Sequence, residues 1–296
     1  MTPEAILAEP ARVLTQAQRE HYFEYGFLCV ESLIPRDTLD ELNAVTQHFV
    51  EQSRQETESG KVFDLAPGHS ADKPIIRRLK KPDNLDPVYW RYAQGILADV
   101  AADLVGSAVV FHHSKPNFKW YDASDKVQWH QDVQFYPHTN YNVLAIGTYL
   151  MDTDMSNGPL AMLPGSHNGP LYDQYDENGQ WTGCLRESDA AAIDINQAVY
   201  LPGPAGSITI HNCRTVHFSP SSQLPEPRPL LINAYTASDA KPYTPNPAKA
   251  RHSGTLLRSE PARLADHDPR PCLIPPDWSG GYSSIYAAQA GEDDEG

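Results

Sequence analysis

The chain has 296 residues, of which 40% are hydrophobic and 21% charged, as is typical of a folded globular protein. The formal net charge of −15 argues against general electrostatic binding to nucleic acid or anionic membranes, because such binding needs clustered positive charge. The four cysteines form no C-x-x-C pair, which argues against a zinc finger or a disulfide-dense scaffold. No apolar run reaches the length of a membrane span, and the first residues lack the pattern of a secretory signal, so we expect a cytoplasmic protein.

The N-terminal third of the chain is predicted to be helical. Thr15, with Gln18 three residues later, forms a capping-box pattern at the start of a first helix, and Gly26 ends that helix before the short strand FLCV. A second helix is predicted over residues 35–52 and a third, continuous helix over 86–106.

The pattern changes after residue 106 to short apolar runs between Gly, Pro and Asn turn signals, such as SAVVF, NVLAIGTYLM, LAMLP, GSITIH and PLLINAY. Such spacing predicts a mainly β sandwich or barrel. We therefore expect one domain over residues 1–290, with a helical part (14–106), a β-barrel core (107–236) and a Pro-rich lid or C-terminal segment (237–290). An acidic, disordered tail is expected at 291–296.

The stretch WHQDVQFYP contains a candidate metal site. Residues two apart on a strand share a face, so His130 and Asp132 would face the same way and Gln131 the other. Two histidines and one carboxylate form the ligand set of non-haem Fe(II) oxygenases, and His217 is the candidate third ligand. An H-x-D tripeptide is common by chance, so an ordinary polar stretch on a strand remains an alternative at this point.

Ser219 and Arg228 follow His217 and strengthen the metal hypothesis. A guanidinium binds a carboxylate through two parallel hydrogen bonds, and a nearby hydroxyl adds a third. An iron site beside such a pair suits 2-oxoglutarate, a dicarboxylate co-substrate.

WHQDVQFYP, NGPLAMLPGSH and GSITIHNCRTVHFSPSS with the later arginine together resemble the phytanoyl-CoA dioxygenase family of Fe(II)/2-oxoglutarate oxygenases. The resemblance extends over roughly residues 14–236, including the opening LTQAQREHYFEYGFLCVESLIP. It implies a double-stranded β-helix, a jelly-roll barrel with N-terminal α-helices packed outside. It also implies hydroxylation of an unactivated C–H bond of a small organic molecule, while 2-oxoglutarate and O2 are converted to succinate and CO2.

The resemblance assigns a role to individual residues. The iron ligands fall on His130, Asp132 and His217, and the residues that grip the far carboxylate of 2-oxoglutarate fall on Arg228 and Ser219. Further positions that border the co-substrate in relatives fall on Gln131, Thr148, Lys115 and Arg78, and a one-residue slip would choose Arg77 instead. Because Asp132 is present where related halogenases have a small residue, hydroxylation is favoured over halogenation.

Several alternatives stay open at the level of sequence. His211 is either a hydrogen-bonded core histidine or a group that contacts the metal ligands, and the basic run RRLKK (77–81) is either a solvated face or a polyphosphate contact. Aromatic residues that could line a substrate pocket are Trp120, Tyr121, Phe135, Tyr136 and Tyr141. The whole chain could also be a non-catalytic barrel, or a cupin-type metal enzyme that does not use 2-oxoglutarate. Oligomeric state is left open.

Overall fold

A computed structural model describes residues 1–120, 126–278, 282 and 284–290 of the protein. The predicted acidic tail, 291–296, and Tyr121 lie outside these residues. No helix within the described ranges is both long and apolar enough to cross a membrane.

The N-terminal helices form where the sequence predicts them. Helix α1 (Pro3–Ala8) is followed by α2 (Gln16–Tyr25), and the capping box at Thr15 and Gln18 is present, with both reciprocal hydrogen bonds made. Gly26 ends α2 in the left-handed region with φ of 86°, and strand β1 (Phe27–Val30) begins directly after it. Helix α3 (Arg36–Gln52) packs its apolar face against the core.

The third predicted helix is two helices, so the prediction of one continuous helix was wrong. After the short α4 (Pro82–Leu85), helices α5 (Pro87–Gln94) and α6 (Ile96–Val105) are separated by Gly95, whose ψ of −127° is not helical. The Gly95 carbonyl accepts a hydrogen bond of 2.8 Å from Arg258 instead of continuing the helix. This break lets α6, which is buried along most of its length, lie against the sheet.

Two antiparallel sheets form the rest of the fold. The strands after β1 are β2 (Phe63–Leu65), β3 (Ile76–Leu79), β4 (Val109–Lys119), β5 (Val127–His130), β6 (Val143–Tyr149), β7 (Ala161–Met162), β8 (Val199–Tyr200), β9 (Ile208–Asn212), β10 (His217–Ser219) and β11 (Arg228–Ala237). The larger sheet has the order β1-β9-β6-β11-β4-β3-β2, and the smaller has the order β5-β10-β7-β8. Two short helices, α7 (Glu187–Ala191) and α8 (Ile285–Ala290), occur in the later connections.

The larger sheet is covered on both faces. Strand β6 is buried at every position because one face packs against the helices while Ala145 and Gly147 face a cavity between the sheets. The two sheets thus form a jelly-roll barrel with helices outside, which confirms the predicted fold class. The single-domain division over residues 1–290 stays a prediction.

Candidate active site

Two neighbouring strands of the smaller sheet bring the candidate metal ligands together. His130 is the last residue of β5, and its cross-strand partner on β10 is His217. The strand ends there, and Asp132 begins a 3-10 turn (Asp132–Gln134), so the expected shared strand face does not extend to the carboxylate. The three side chains still converge, because one ligand atom from each lies within 4.8 Å of the others, and all three residues are buried.

The two histidines are oriented as metal ligands. The Nδ1 atom of His130 lies 2.9 Å from the carbonyl oxygen of Gln128, and that of His217 lies 2.8 Å from the carbonyl oxygen of Thr215. A carbonyl only accepts, so Nδ1 carries the proton and donates, and the lone pair is left on Nε2. Burial lowers the pKa of His130 to about 4 and holds the pKa of His217 well below its usual value, so both rings are neutral at physiological pH.

The carboxylate of Asp132 has a partner in His211, on β9. The Nε2 atom of His211 lies 3.2 Å from Oδ2 of Asp132 and donates to it. Burial raises the pKa of Asp132, but this hydrogen bond and the nearby positive charges outweigh burial and hold the pKa well below the usual value. The structure therefore favours the alternative in which His211 contacts a candidate ligand.

The residues present fit Fe(II). Two neutral imidazoles and one ionised carboxylate are the donors of the facial triad of non-haem iron oxygenases. Nδ1 of each histidine and Oδ2 of Asp132 already have hydrogen-bond partners in the protein. Metal ligands are usually held in this way.

Arg228 lines the same cavity at one end. Its guanidinium donates to the carbonyl oxygen of Asn157 at 3.3 Å and to that of Gly158 at 2.7 Å, and the residue is 2% exposed. These two carbonyl oxygens fix the orientation of the guanidinium. Gly158 has φ of 75°, and a Cβ there would collide with the carbonyl of Pro220, so a glycine is needed to present this carbonyl.

Lys119 is a cavity residue that the sequence reasoning missed. It is the cross-strand partner of Arg228, it is 2% exposed, and its Nζ donates to the backbone carbonyl of Ser219 at 3.3 Å. Its spacing from Lys115 would have indicated it, because residues 115, 117 and 119 lie on the same face of β4. Ser219 also lines the cavity, so this end carries two cations and a hydroxyl.

A second pair of cations lies on the same sheet, on β3 and β4. Arg78 of β3 is the register partner of Asn117 of β4, and Lys115 lies two residues further along on the same face. Arg78 lines the cavity and Arg77 is not among its lining residues, which decides between the two sequence candidates. Burial lowers the pKa of Lys115 to about 8. The basic run is thus not a solvated face at this position, since Arg78 is 5% exposed.

Gln131 and Thr148 lie outside the cavity. The Gln131 amide donates to the carbonyls of Arg214 at 2.7 Å and Pro170 at 3.1 Å, while its oxygen accepts from the backbone of Tyr172 at 3.0 Å. The Thr148 hydroxyl is 2.7 Å from the hydroxyl of Tyr92, on the helix-covered face of β6. The structure therefore gives no support to their predicted contact with the co-substrate. Hydrogen bonds to the backbone of other segments hold the Gln131 side chain away from the cavity, and strand alternation on β6 turns Thr148 to the other face.

Arg214, His167 and His112 are not among the residues that line this cavity. The Arg214 guanidinium lies 4.6 Å from the ring centroid of Tyr141, outside the cavity, and His167 bonds the carbonyl of Phe23 at 3.1 Å. His112 lies with its Nδ1 2.6 Å from that of His113, apart from the metal ligands.

The remaining wall of the cavity is apolar and aromatic. It comes from the 3-10 turn and from the C-terminal segment, and its residues are Phe135, Tyr136, Pro247, Ala248, Tyr282, Ile285 and Tyr286. Of the predicted pocket aromatics, Phe135 and Tyr136 are present and Trp120 and Tyr141 are not. The segment after residue 237 thus closes part of the site, as expected for a lid.

Comparison with known proteins places this geometry in a family. The sequence model of the phytanoyl-CoA dioxygenase (PhyH) family matches residues 22–228. A probable alpha-ketoglutarate-dependent hypophosphite dioxygenase from Stutzerimonas stutzeri is 29% identical over 228 residues, which cover 76% of this chain and 79% of that protein. An ectoine dioxygenase from Sphingopyxis alaskensis is 27% identical over 227 residues, covering 71% and 68% of the two chains.

Solved structures show the same fold. The crystal structure of EctD from S. alaskensis with bound Fe superposes with a TM-score of 0.68 at 22% identity, covering 86% of this chain and 90% of that one. The structure of EctD with 2-oxoglutarate and 5-hydroxyectoine gives a TM-score of 0.66 at 21% identity, covering 88% and 91%.

Proposed function

We propose that His130, Asp132 and His217 hold the iron of this protein. The chain belongs to the phytanoyl-CoA dioxygenase family and is an Fe(II)- and 2-oxoglutarate-dependent dioxygenase acting on a small molecule. We propose further that Arg228, with Ser219, binds the far carboxylate of 2-oxoglutarate. The reaction on the substrate is hydroxylation of an unactivated C–H bond. The iron supplies O2 activation coupled to conversion of 2-oxoglutarate and O2 into succinate and CO2.

The protein residues supply orientation and exclusion of water. Hydrogen bonds from Nδ1 of His130 and His217 to backbone carbonyls keep both rings in the metal-binding tautomer. The bond from His211 keeps Asp132 ionised and fixes its carboxylate. The aromatic wall around Phe135 and Tyr136 shields the site from solvent, which limits side reactions of a reactive oxidant.

The observation that carries this proposal is the convergence of the three ligand atoms within 4.8 Å, beside a buried arginine in the same cavity. A barrel that does not use 2-oxoglutarate has no reason to bury a guanidinium in the wall of this cavity. Retention of Asp132 supports hydroxylation rather than halogenation.

Anaerobic addition of Fe(II) and 2-oxoglutarate tests the cofactor assignment. We expect a metal-to-ligand charge-transfer band that needs both components, and succinate release on admission of O2. A protein that binds Fe(II) but gives neither the band nor succinate would support a cupin-type enzyme without 2-oxoglutarate. A protein that binds no metal would be a non-catalytic barrel.

We propose that the protein works in the cytoplasm on a small molecule, with neither nucleic acid nor membrane as a partner. The net charge of −15 supports the last part of this proposal, because it repels polyanionic surfaces.

A further inference from the structure

The wall of the cavity formed by β3 and β4 carries two cations, Arg78 and Lys115, that form no ion pair with any described residue. Arg78 is 5% exposed, and its Nε atom is buried without a hydrogen-bond partner among the described residues. Lys115 makes no hydrogen bond or ion pair with any residue in the described part of the chain. Both side chains line the cavity.

The groups packed around this pair leave hydrogen-bond donors of Arg78 open within the described part of the chain. The Arg78 guanidinium lies over the ring of Tyr282, 5.5 Å from the centroid, which leaves its edge open for hydrogen bonding. Asp64 is the register partner of Arg78 on β2, but one of its carboxylate oxygens is itself buried without a partner, and Asp64 does not line the cavity. Arg78 is buried and Lys115 is half-buried, and two cations on one wall of a cavity are costly unless an anion lies between them.

The family resemblance places Arg78 and Lys115 at the border of 2-oxoglutarate, and that placement stays a prediction. 2-Oxoglutarate has two carboxylates, and under the proposed function one belongs to the metal and the other to Arg228, so neither carboxylate needs this pair. Arg228 and Lys119 lie side by side at the far end of β11 and β4, whereas Lys115 lies four residues back along β4. Burial lowers the pKa of Lys115 and the charge of Asp132 opposes that shift, so Lys115 lies on the metal side of the cavity, where the oxidised bond must sit. Arg78 is paired with Asn117, between Lys115 and Lys119.

We propose that Arg78 and Lys115 bind an oxyanionic group of the primary substrate, a carboxylate, phosphonate or phosphinate, and so hold the substrate against the iron. This inference rests on the proposed function and adds the class of substrate to it. The guanidinium suits two oxygens of such a group, and the ammonium neutralises the remaining charge. Hypophosphite, the substrate named for one relative, is the smallest molecule of this class.

Binding measurements test the subsite separately from turnover. Hypophosphite, methylphosphonate and acetate are titrated calorimetrically into the metal-free protein and into the anaerobic protein loaded with Fe(II) and 2-oxoglutarate. The variants are Arg78→Met and Lys115→Met, with Arg78→Lys and Lys115→Arg as charge-retaining rescues. Lys61→Met, which removes an exposed lysine, is the matched control.

We expect wild type and Lys61→Met to bind at least one anion, and each cavity variant to bind it about 10- to 150-fold more weakly, with partial recovery in the charge-retaining variants. The affinity for 2-oxoglutarate, followed by the charge-transfer band, stays within about threefold of wild type. Tighter binding of hypophosphite assigns an inorganic substrate, and tighter binding of methylphosphonate or acetate assigns an organic acid.

Two results would overturn the inference. If both Met variants lose 2-oxoglutarate affinity and keep anion affinity, the pair belongs to the co-substrate. If the loaded wild type shows the band yet binds none of the anions, the substrate is not an oxyanion, although the proposed function stands. If wild type shows no charge-transfer band but the metal-free protein binds an anion in a way that depends on Arg78, the subsite is supported and the proposed function is wrong.

Discussion

The metal end of the cavity and the Arg78–Lys115 wall differ in how their polar groups are held. At the metal end, His130 and His217 donate to backbone carbonyls and Asp132 accepts from His211. On the other wall, the described residues offer Arg78 Nε and the Lys115 ammonium no hydrogen bond. The first region is therefore built to keep one geometry before any ligand arrives, whereas the second gains its partners only when a ligand binds.

The difference is informative because buried polar groups are normally satisfied. A metal site needs rigid ligands, since coordination geometry fixes affinity and reactivity. A substrate subsite needs unsatisfied donors, since those donors supply the binding energy. The predictions below separate the two regions by which ligand each variant loses.

The largest effect is expected from removing a metal ligand. Asp132→Ala or His217→Ala leaves two protein ligands, and we expect turnover to be lost and Fe(II) affinity to fall by more than about 100-fold. Succinate release and Fe(II) titration measure the two effects. Full activity in both variants would show that the triad is wrongly assigned, and His48→Ala, at an exposed histidine, is the control.

Arg228→Met should weaken the binding of 2-oxoglutarate and leave the binding of Fe(II) unchanged. Loss of a buried charged donor weakens binding of its carboxylate partner by about 2–5 kcal/mol, so the KM for 2-oxoglutarate should rise by about 30-fold or more. Fe(II) affinity and anion binding at Arg78 and Lys115 should stay near wild type. An unchanged KM for 2-oxoglutarate would remove the role proposed for Arg228.

His211→Phe should weaken Fe(II) binding although it removes no metal ligand. The ring stays in place but its hydrogen bond to Asp132 is lost, and we expect Fe(II) affinity to fall about 10- to 100-fold. Because a purely structural histidine would change stability alone, Fe(II) affinity and the denaturation midpoint are measured together. His48→Phe is the exposed counterpart, and a stability change without a change in Fe(II) affinity would contradict this role.

The smallest effect is expected at Thr148, outside both regions. Thr148→Val removes the hydrogen bond to Tyr92 and should cost about 1 kcal/mol of unfolding free energy, measured in urea. The KM for 2-oxoglutarate should not change. A clear rise in that KM would restore the contact that the sequence resemblance suggested for Thr148.

Local features of the sequence predicted much of the fold. The capping box at Thr15 and the glycine at position 26 act within a few residues, so helix α2 and its end follow from the chain alone. The break at Gly95 was missed because the apolar pattern continues on both sides of it, and the bond from Arg258 that stabilises the break comes from far along the chain. The sequence pattern predicted that Gln131 points away from the metal, and it does, but through hydrogen bonds to Arg214 and Pro170 after the strand has ended at His130.

By itself the sequence determined the fold class, the family resemblance and the candidate metal ligands, because these depend on periodicity and on short motifs. Only the tertiary structure decided which side chains share the cavity. Lys119 lies beside Arg228, and Arg78 beside Asn117, through pairing between strands that are distant in the chain. His211 reaches Asp132 across the two sheets. Such neighbours are set by register and by how the sheets close on each other, and no local pattern encodes either.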